Sequence, residues 1–415
     1  MVPLRTFQRL SLYLFLFSIN FETWDPLNTD GSFSISKLTG LLYFASLLPD
    51  ARALLNTQGL RHVLRPAWLF FVVLTLVSLL NTNDVSSRFF DASIFQCIVL
   101  FWILVNHERE DPLVLEKGMI SYALGSAVTA LLFEAGIGAV YVEGRVSILG
   151  ENQNTIGIKM VISMAVFLLA IIQNRLKLGP RRWLFLVPVP IMMHLMAETG
   201  SRVAFISYAL VFAGGIVLLR TKNISRKVGI MALGSIAALF TGFVLVQSGV
   251  LGTRLENSLE GGDLAHRDMI WESLEPLIEQ HPVFGVGETG YAHYTALTYG
   301  GVKSPHNVFL EVLCYSGAVG LFCYGLYLFQ VAKYAVRSYR RSGYLLPLLL
   351  LVPIMGELVS GQMLWIKTGW VVFAYMLSSS LFTAVPQHQQ VPEPINEHLV
   401  RYRVSGLRRR RTPVG

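Results

Sequence analysis

Apolar runs of similar length recur along almost the whole chain, separated by short polar breaks. They lie at roughly 7–21, 33–49, 66–81, 89–105, 118–140, 154–172, 184–199, 201–219, 228–248, 306–330, 344–360 and 363–384. A helix of about 20 apolar residues crosses the hydrocarbon core of a bilayer. The pattern therefore predicts an all-α polytopic membrane protein with about twelve transmembrane helices. The one long break, 249–305, contains "HRDMIWESLEPLIEQ", in which Ile270, Leu274, Leu277 and Ile278 fall on one helical face. That spacing predicts an amphipathic helix lying on the membrane surface or on the helix bundle. The chain thus divides into helices one to nine (1–248), a loop subdomain (249–305), helices ten to twelve (306–385) and a basic tail (386–415). The tail is rich in Pro, Gln and Arg and is expected to be disordered.

Composition agrees with a membrane protein: 53% of the 415 residues are hydrophobic, only 14% are charged, and the mean hydropathy is +0.52. Charge sets the orientation. With both termini in the cytoplasm, 25 of the 34 lysines and arginines fall in the inner segments and tail, as the positive-inside rule requires. The loop 249–305 then faces the other side. The net charge of +8 is a topology signal with attraction to anionic membrane lipids, and no nucleic acid partner is implied. The first apolar run lacks a small-residue cleavage site and is expected to be a retained helix. Cys97, Cys314 and Cys323 all fall inside spans without metal-ligand spacing, so neither a disulfide framework nor a zinc site is indicated.

Ionisable residues inside spans carry the first functional information, because each costs a few kcal/mol in hydrocarbon and needs a partner or a wet cavity. Asp91, Glu134, Lys159, Glu198, Arg202, Glu311, Glu357 and Lys367 all fall toward the outer ends of their predicted helices. Any one of them could simply snorkel to the interface. Together they predict a polar cavity in the outer half of the bundle.

A cavity open to the outside has no access to nucleotides. "GVGETG", Gly285 to Gly290, matches G-x-G-x-x-G, but it lacks the preceding strand that a dinucleotide site needs. It is expected to be a flexible turn at the cavity rim. "HNVFLEVLCYSGAVG" is more informative. As one helix, it puts His306, Leu310, Leu313, Gly317 and Gly320 within about 40° of one line. The glycines would let a neighbouring helix approach along the stripe that carries the histidine, and Pro305 would start the helix. The bland alternative is a histidine that caps a helix at the interface.

Arginines collect on the same outer side: Arg145 in "EGRVSILGENQN", Arg202 in "ETGSR" and Arg267 beside His266, with Lys303 close to the histidine. A single arginine here would be an interfacial anchor. Several in separate segments point to an anionic substrate such as a pyrophosphate, which guanidinium groups bind bidentately. No Asp-x-Asp pair accompanies them in the outer loops, and no metal or other cofactor is called for.

These residues carry a family resemblance. "HNVFLEVLCYSGAVG" resembles the His-Asn, nine residues, Gly-x-x-Gly motif of the O-antigen ligases and the related Wzy-type polymerases. "TGSR" and "RDMIWESLEPLIEQHPVFGVG" resemble two further patterns of that family, so the resemblance covers mainly residues 145–320. It implies a metal-independent glycosyltransferase with a GT-C-like fold, working at the periplasmic face of a bacterial inner membrane in lipopolysaccharide biosynthesis. The donor would be a polysaccharide on undecaprenyl pyrophosphate and the acceptor a sugar of the lipid A-core oligosaccharide. By the resemblance His306 is the catalytic residue and Arg145, Arg202 and Arg267 hold pyrophosphate. Lys303 joins them by position, and Asn307, Glu311, Gly317 and Gly320 support the site. Two other functions fit parts of the pattern. A polymerase would run the same chemistry with another lipid-linked chain as acceptor. A transporter or flippase of lipid-linked sugars would need access from both sides, which the lack of charges in the inner halves of the spans disfavours.

Overall fold

The computed structural model describes residues 3–27, 29, 34–81, 85–142, 144–220, 249, 252 and 267–382, and the side chains of 85–91 are outside that description. The predicted span 228–248, His266, the side chain of Asp91 and the basic tail lie outside the described residues. The other eleven apolar runs all coincide with helical segments. The principal helices are α1 (Leu4–Ser18), α2 (Ile35–Leu47), α3 (Arg61–Asn81), α4 (Val85–Glu110), α5 (Val114–Glu134), α6 (Gln153–Ile172), α7 (Val189–Glu198) and α8 (Arg202–Leu218). After 252 come α9 (Arg267–Gln280), α10 (Gly287–Tyr299), α11 (Val308–Ser342), α12 (Leu346–Ser360) and α13 (Lys367–Leu381). Among the described residues, α3, α6 and α11 are long and apolar enough to cross a membrane, and α8 and α12 are shorter apolar helices.

Side-chain size decides how these helices meet. α1 packs on α2 and α5, α6 on α5 and α8, α8 on α12, and α11 on α3 and α13. At Gly157 a methyl group would lie 2.7 Å from the Ala204 side chain, so α6 and α8 meet along a seam of small residues. Polar side chains cross the same core: Ser126 donates to Asn20 at 2.7 Å, and Ser163 donates to Ser126 at 2.7 Å. Being bonded to one another, they satisfy groups that hydrocarbon could not.

The charges placed in spans find partners in the same way. Lys159 pairs with Glu151 and Lys367 with Glu22, Glu134 lies 2.6 Å from the His194 ring nitrogen, and Thr155 donates to Glu357 at 2.9 Å. The sequence placed such charges only at outer ends, and here the structure differs. Glu116 and Glu108 are buried at the opposite end, Glu116 against Tyr344, Tyr375 and Arg175, and Glu108 accepting from the amides of Leu113 and Leu115. Both lie in the helix turns that flank the α4–α5 connection, where they turn inward to meet free amides and an arginine.

Two local departures follow from long-range packing. Two strands pair here, β1 (Ala139–Val142) antiparallel to β2 (Arg145–Ile148) with Val142 opposite Arg145. The fold is therefore nearly but not wholly α. The amphipathic helix read in "HRDMIWESLEPLIEQ" is α9, but "GVGETG", read as a turn, leads into a second helix, because Gly287 opens α10. α9 does pack with its apolar side inward, burying Leu274 and Leu277. α10 returns beside it, with Tyr294 and Tyr299 donating to the Ser273 and Met269 carbonyls at 2.7 and 3.1 Å.

The connection between these two helices explains Gly317 of α11. Gly317 is not helical (φ 62°, ψ −165°), and the opened turn pairs with the incoming chain: Ala318 and Val319 amides donate to the Pro282 and Val283 carbonyls at 2.9 and 3.2 Å, and the Val286 amide donates to the Cys314 carbonyl at 2.9 Å. A Cβ on Gly317 would lie 2.2 Å from Val283 backbone, and one on Gly285 (φ 67°) 2.4 Å from the Cys314 oxygen. The partner admitted by Gly317 is thus the "HPVFGVG" backbone, not a helix. Nor does the predicted stripe exist as one helix face, since the helix begins at Val308 and breaks at Gly317. Gly317→Ala should destabilise the protein by about 2 kcal/mol or more, from backbone strain and collision together. Gly325→Ala, where the space is open, is the control. Thermal unfolding in detergent checks this, and equal melting of the two variants would refute the docked-loop description.

Candidate functional site

The segment Lys303–Asn307 connects α10 to α11 and is fixed from three sides. Trp271 of α9 donates its indole N–H to the Pro305 carbonyl at 2.8 Å, and Tyr291 of α10 donates its hydroxyl to the Lys303 carbonyl at 2.6 Å. From α11, buried Glu311 accepts the Ser304 hydroxyl at 3.0 Å, and Ser304 in turn accepts the His306 amide at 3.0 Å. Asn307 closes the set as the N-cap, accepting from the amides of Phe309 and Leu310 at 3.0 and 3.2 Å. Pro305 therefore lies outside the first turn predicted for it. The pinning holds His306 at φ 49°, a left-handed conformation that costs a non-glycine residue about 1–2 kcal/mol.

His306 sits just ahead of the α11 span, half-buried, and its ring makes no hydrogen bond among the described residues. Burial, then the positive charges of Arg267 and Arg145, pushes its pKa down to about 4. Each of these disfavours the imidazolium, so the ring is a neutral base throughout the physiological range.

The two arginines come from distant parts of the chain. Arg145 opens β2; its Nε donates to the Thr199 carbonyl at 2.8 Å and its Nη2 to Asn154 Oδ1 at 2.8 Å. Those bonds join the strand pair to the α7–α8 turn and to the start of α6. Arg267 opens α9 and donates to the Ser360 carbonyl at the end of α12 at 3.1 Å. Arg202 is the first residue of α8, directly after its N-cap Ser201 and three residues beyond the Thr199 carbonyl that holds Arg145. The structure thus places Arg145 and Arg267 within electrostatic reach of His306 and Arg202 in the Thr199 corner. Lys303 contributes its backbone to the fixed segment while the residue itself is exposed. Gly317 and Gly320 lie deeper in α11. A Cβ on Gly320 would meet the Ser316 hydroxyl of its own helix, so this glycine accommodates its neighbouring turn.

These positions share one end of the bundle and one pattern: a neutral base beside guanidinium groups. Residues 189–325 match the O-antigen ligase family. No curated protein matches the chain. The family match covers roughly a third of the sequence, including Arg202, Arg267, Lys303, His306, Asn307, Glu311 and both glycines, and it leaves Arg145 outside. It supports an activity of the O-antigen ligase or polymerase type, glycosyltransferase-like, in a membrane-embedded protein acting on lipid-linked polysaccharide. Among the described residues no group of three His, Cys, Asp or Glu is placed to hold a metal ion.

Two residues that position this site were not evident from sequence. Ser304 bridges His306 to Glu311, and its only signal was its place in "KSPHN" just before a helix cap. Glu357 was read only as a charge near a helix end. It is buried beneath the same corner, held by Thr155, with its second oxygen unbonded among the described residues.

Proposed function

We propose that the protein is an O-antigen ligase, moving polysaccharide from undecaprenyl pyrophosphate to a sugar of the lipid A-core at the periplasmic face of the inner membrane. The observation that carries this is that Arg145 and Arg267, from separate segments, lie within electrostatic reach of the half-buried ring of His306. His306 accepts the proton of the acceptor hydroxyl as its oxygen bonds to the anomeric carbon of the donor. The bond from that carbon to the pyrophosphate oxygen breaks, and undecaprenyl pyrophosphate leaves without needing a proton. Arg145, Arg267 and Arg202 stabilise the negative charge that grows on it, which lowers the barrier as well as holding the donor. No metal or cofactor enters these steps. The lipid pyrophosphate brings its own leaving group, which suits a site on the side of the membrane without nucleotides.

The electrostatics of the site fix a pH dependence. In the free protein burial, together with the two cations, holds the His306 pKa near 4, so kcat/KM should be flat from about pH 6 to pH 8 and fall only as the ring protonates near pH 4. Bound pyrophosphate offsets the arginine charges, so the acid limb of kcat should lie at higher pH than that of kcat/KM. Rates of undecaprenyl pyrophosphate release across pH test both. An acid limb of kcat/KM at about 6.5, the ordinary histidine value, would show that the ring is neither buried nor under the arginines' charge as described.

A further inference from the structure

At the far end of α11 from His306, the Tyr334 hydroxyl lies 2.7 Å from His62 Nε2 near the start of α3. At about 1.5 Å per helical residue, the two ends are roughly 40 Å apart. An open groove of about 480 Å³ runs along α3 here, lined by Thr57, Arg61, Leu64, Arg65, Trp68, Leu69 and Val72. Several other basic residues at this end are engaged: Arg9 bonds Asp111, Arg109 donates to the Gln58 carbonyl, and Arg175 pairs with Glu116. Arg61 and Arg65 are exposed and make no hydrogen bond or ion pair among the described residues.

We propose that this groove is a binding site for an anionic phospholipid, with its phosphate held between Arg61 and Arg65 and an acyl chain lying along Trp68, Leu69 and Val72. Residues four apart on a helix are neighbours on one face, so both guanidiniums reach a single phosphate. Below them the lining turns apolar over about 10 Å of helix, a surface for which a free phosphate ion has no use. Trp68 marks the depth: its ring is wedged edge-on against Phe71, Phe95 and Trp102, and tryptophans gather where hydrocarbon meets headgroups. One and two turns toward the helix start, Arg65 and Arg61 stand at the level of lipid phosphates. A zwitterionic lipid would bring its own ammonium against them. The site rests on no part of the transfer reaction and lies at the opposite end of the bundle from it.

The test is lipid retention by the full-length protein purified from bilayers of equal phosphatidylglycerol and phosphatidylcholine, read by mass spectrometry. The wild type should hold phosphatidylglycerol in excess on the order of tenfold, from the attraction of two basic residues. The double variant Arg61→Gln, Arg65→Gln should lose that excess. The double lysine variant should keep part of it and shows that the position tolerates change, and Arg52→Gln should keep all of it. Equal retention by the wild type and the glutamine variant, or no excess in the wild type, overturns the proposal. Release of the lipid by millimolar inorganic phosphate would show an ion site in place of a lipid site and overturns it equally.

Discussion

Replacing His306 by alanine is expected to lower transfer by about 100- to 10,000-fold, the usual contribution of a positioned general base. The protein should still insert and fold. The ring makes no hydrogen bond among the described residues, whereas the backbone at 306 keeps its bond to Ser304 whatever side chain it carries. Losing the imidazole therefore removes chemistry without removing the contacts that shape the segment. Turnover should be measured with donor and acceptor saturating, beside a melting curve for each protein. Near-normal turnover at neutral pH would reduce His306 to a turn residue before a helix.

The second large effect separates phosphate ligands from membrane anchors. An anchor needs only a charge on a long stem, so Arg→Lys at such a position is nearly silent. A guanidinium that grips pyrophosphate uses a planar fork that lysine lacks. Arg267→Lys and Arg202→Lys should each lose most activity, about tenfold or more, given that charge-assisted hydrogen bonds are each worth about 1.5–3 kcal/mol. Arg337→Lys, whose guanidinium lies over the Tyr334 ring at the far end of α11, should remain active. Arg267 is the sharper of the two positions, because its charge reaches His306. If its lysine variant and that of Arg337 had equal activity at matched expression, the donor would have to be bound elsewhere.

Much of the helical framework was legible because hydrophobic length is a local property: the segments at 154–172 and 201–219 reappear as α6 and α8 almost residue for residue. The break at Gly317 was not legible. Its cause is the "HPVFGVG" segment some thirty residues earlier, and backbone pairing at that distance leaves no period in either stretch. Reading 306–330 as one uninterrupted helix gave Gly317 the wrong partner and put His306 on a helix it precedes. The strand pair β1–β2 was missed because its four-residue strands are too short to stand out against twelve apolar runs. Within the site, Arg145, Arg267 and His306 were named from residue chemistry and motif resemblance, and the fold places them within electrostatic reach of one another. Lys303 was chosen by proximity in sequence, which says nothing about where its ammonium lies. Ser304 and Glu357 act by hydrogen bonds that only the folded chain reveals.

The decisive measurement is product formation by the purified protein in vesicles, supplied with polysaccharide on undecaprenyl pyrophosphate and, separately, with lipid A-core or a second lipid-linked chain as acceptor. A ligase joins the polysaccharide to lipid A-core, releases one undecaprenyl pyrophosphate for each bond formed, and leaves the second lipid-linked chain unextended. Extension of the lipid-linked chain with no product on lipid A-core would make the protein a polymerase. Passage of the donor across the vesicle membrane with no new glycosidic bond would contradict glycosyl transfer at His306 altogether.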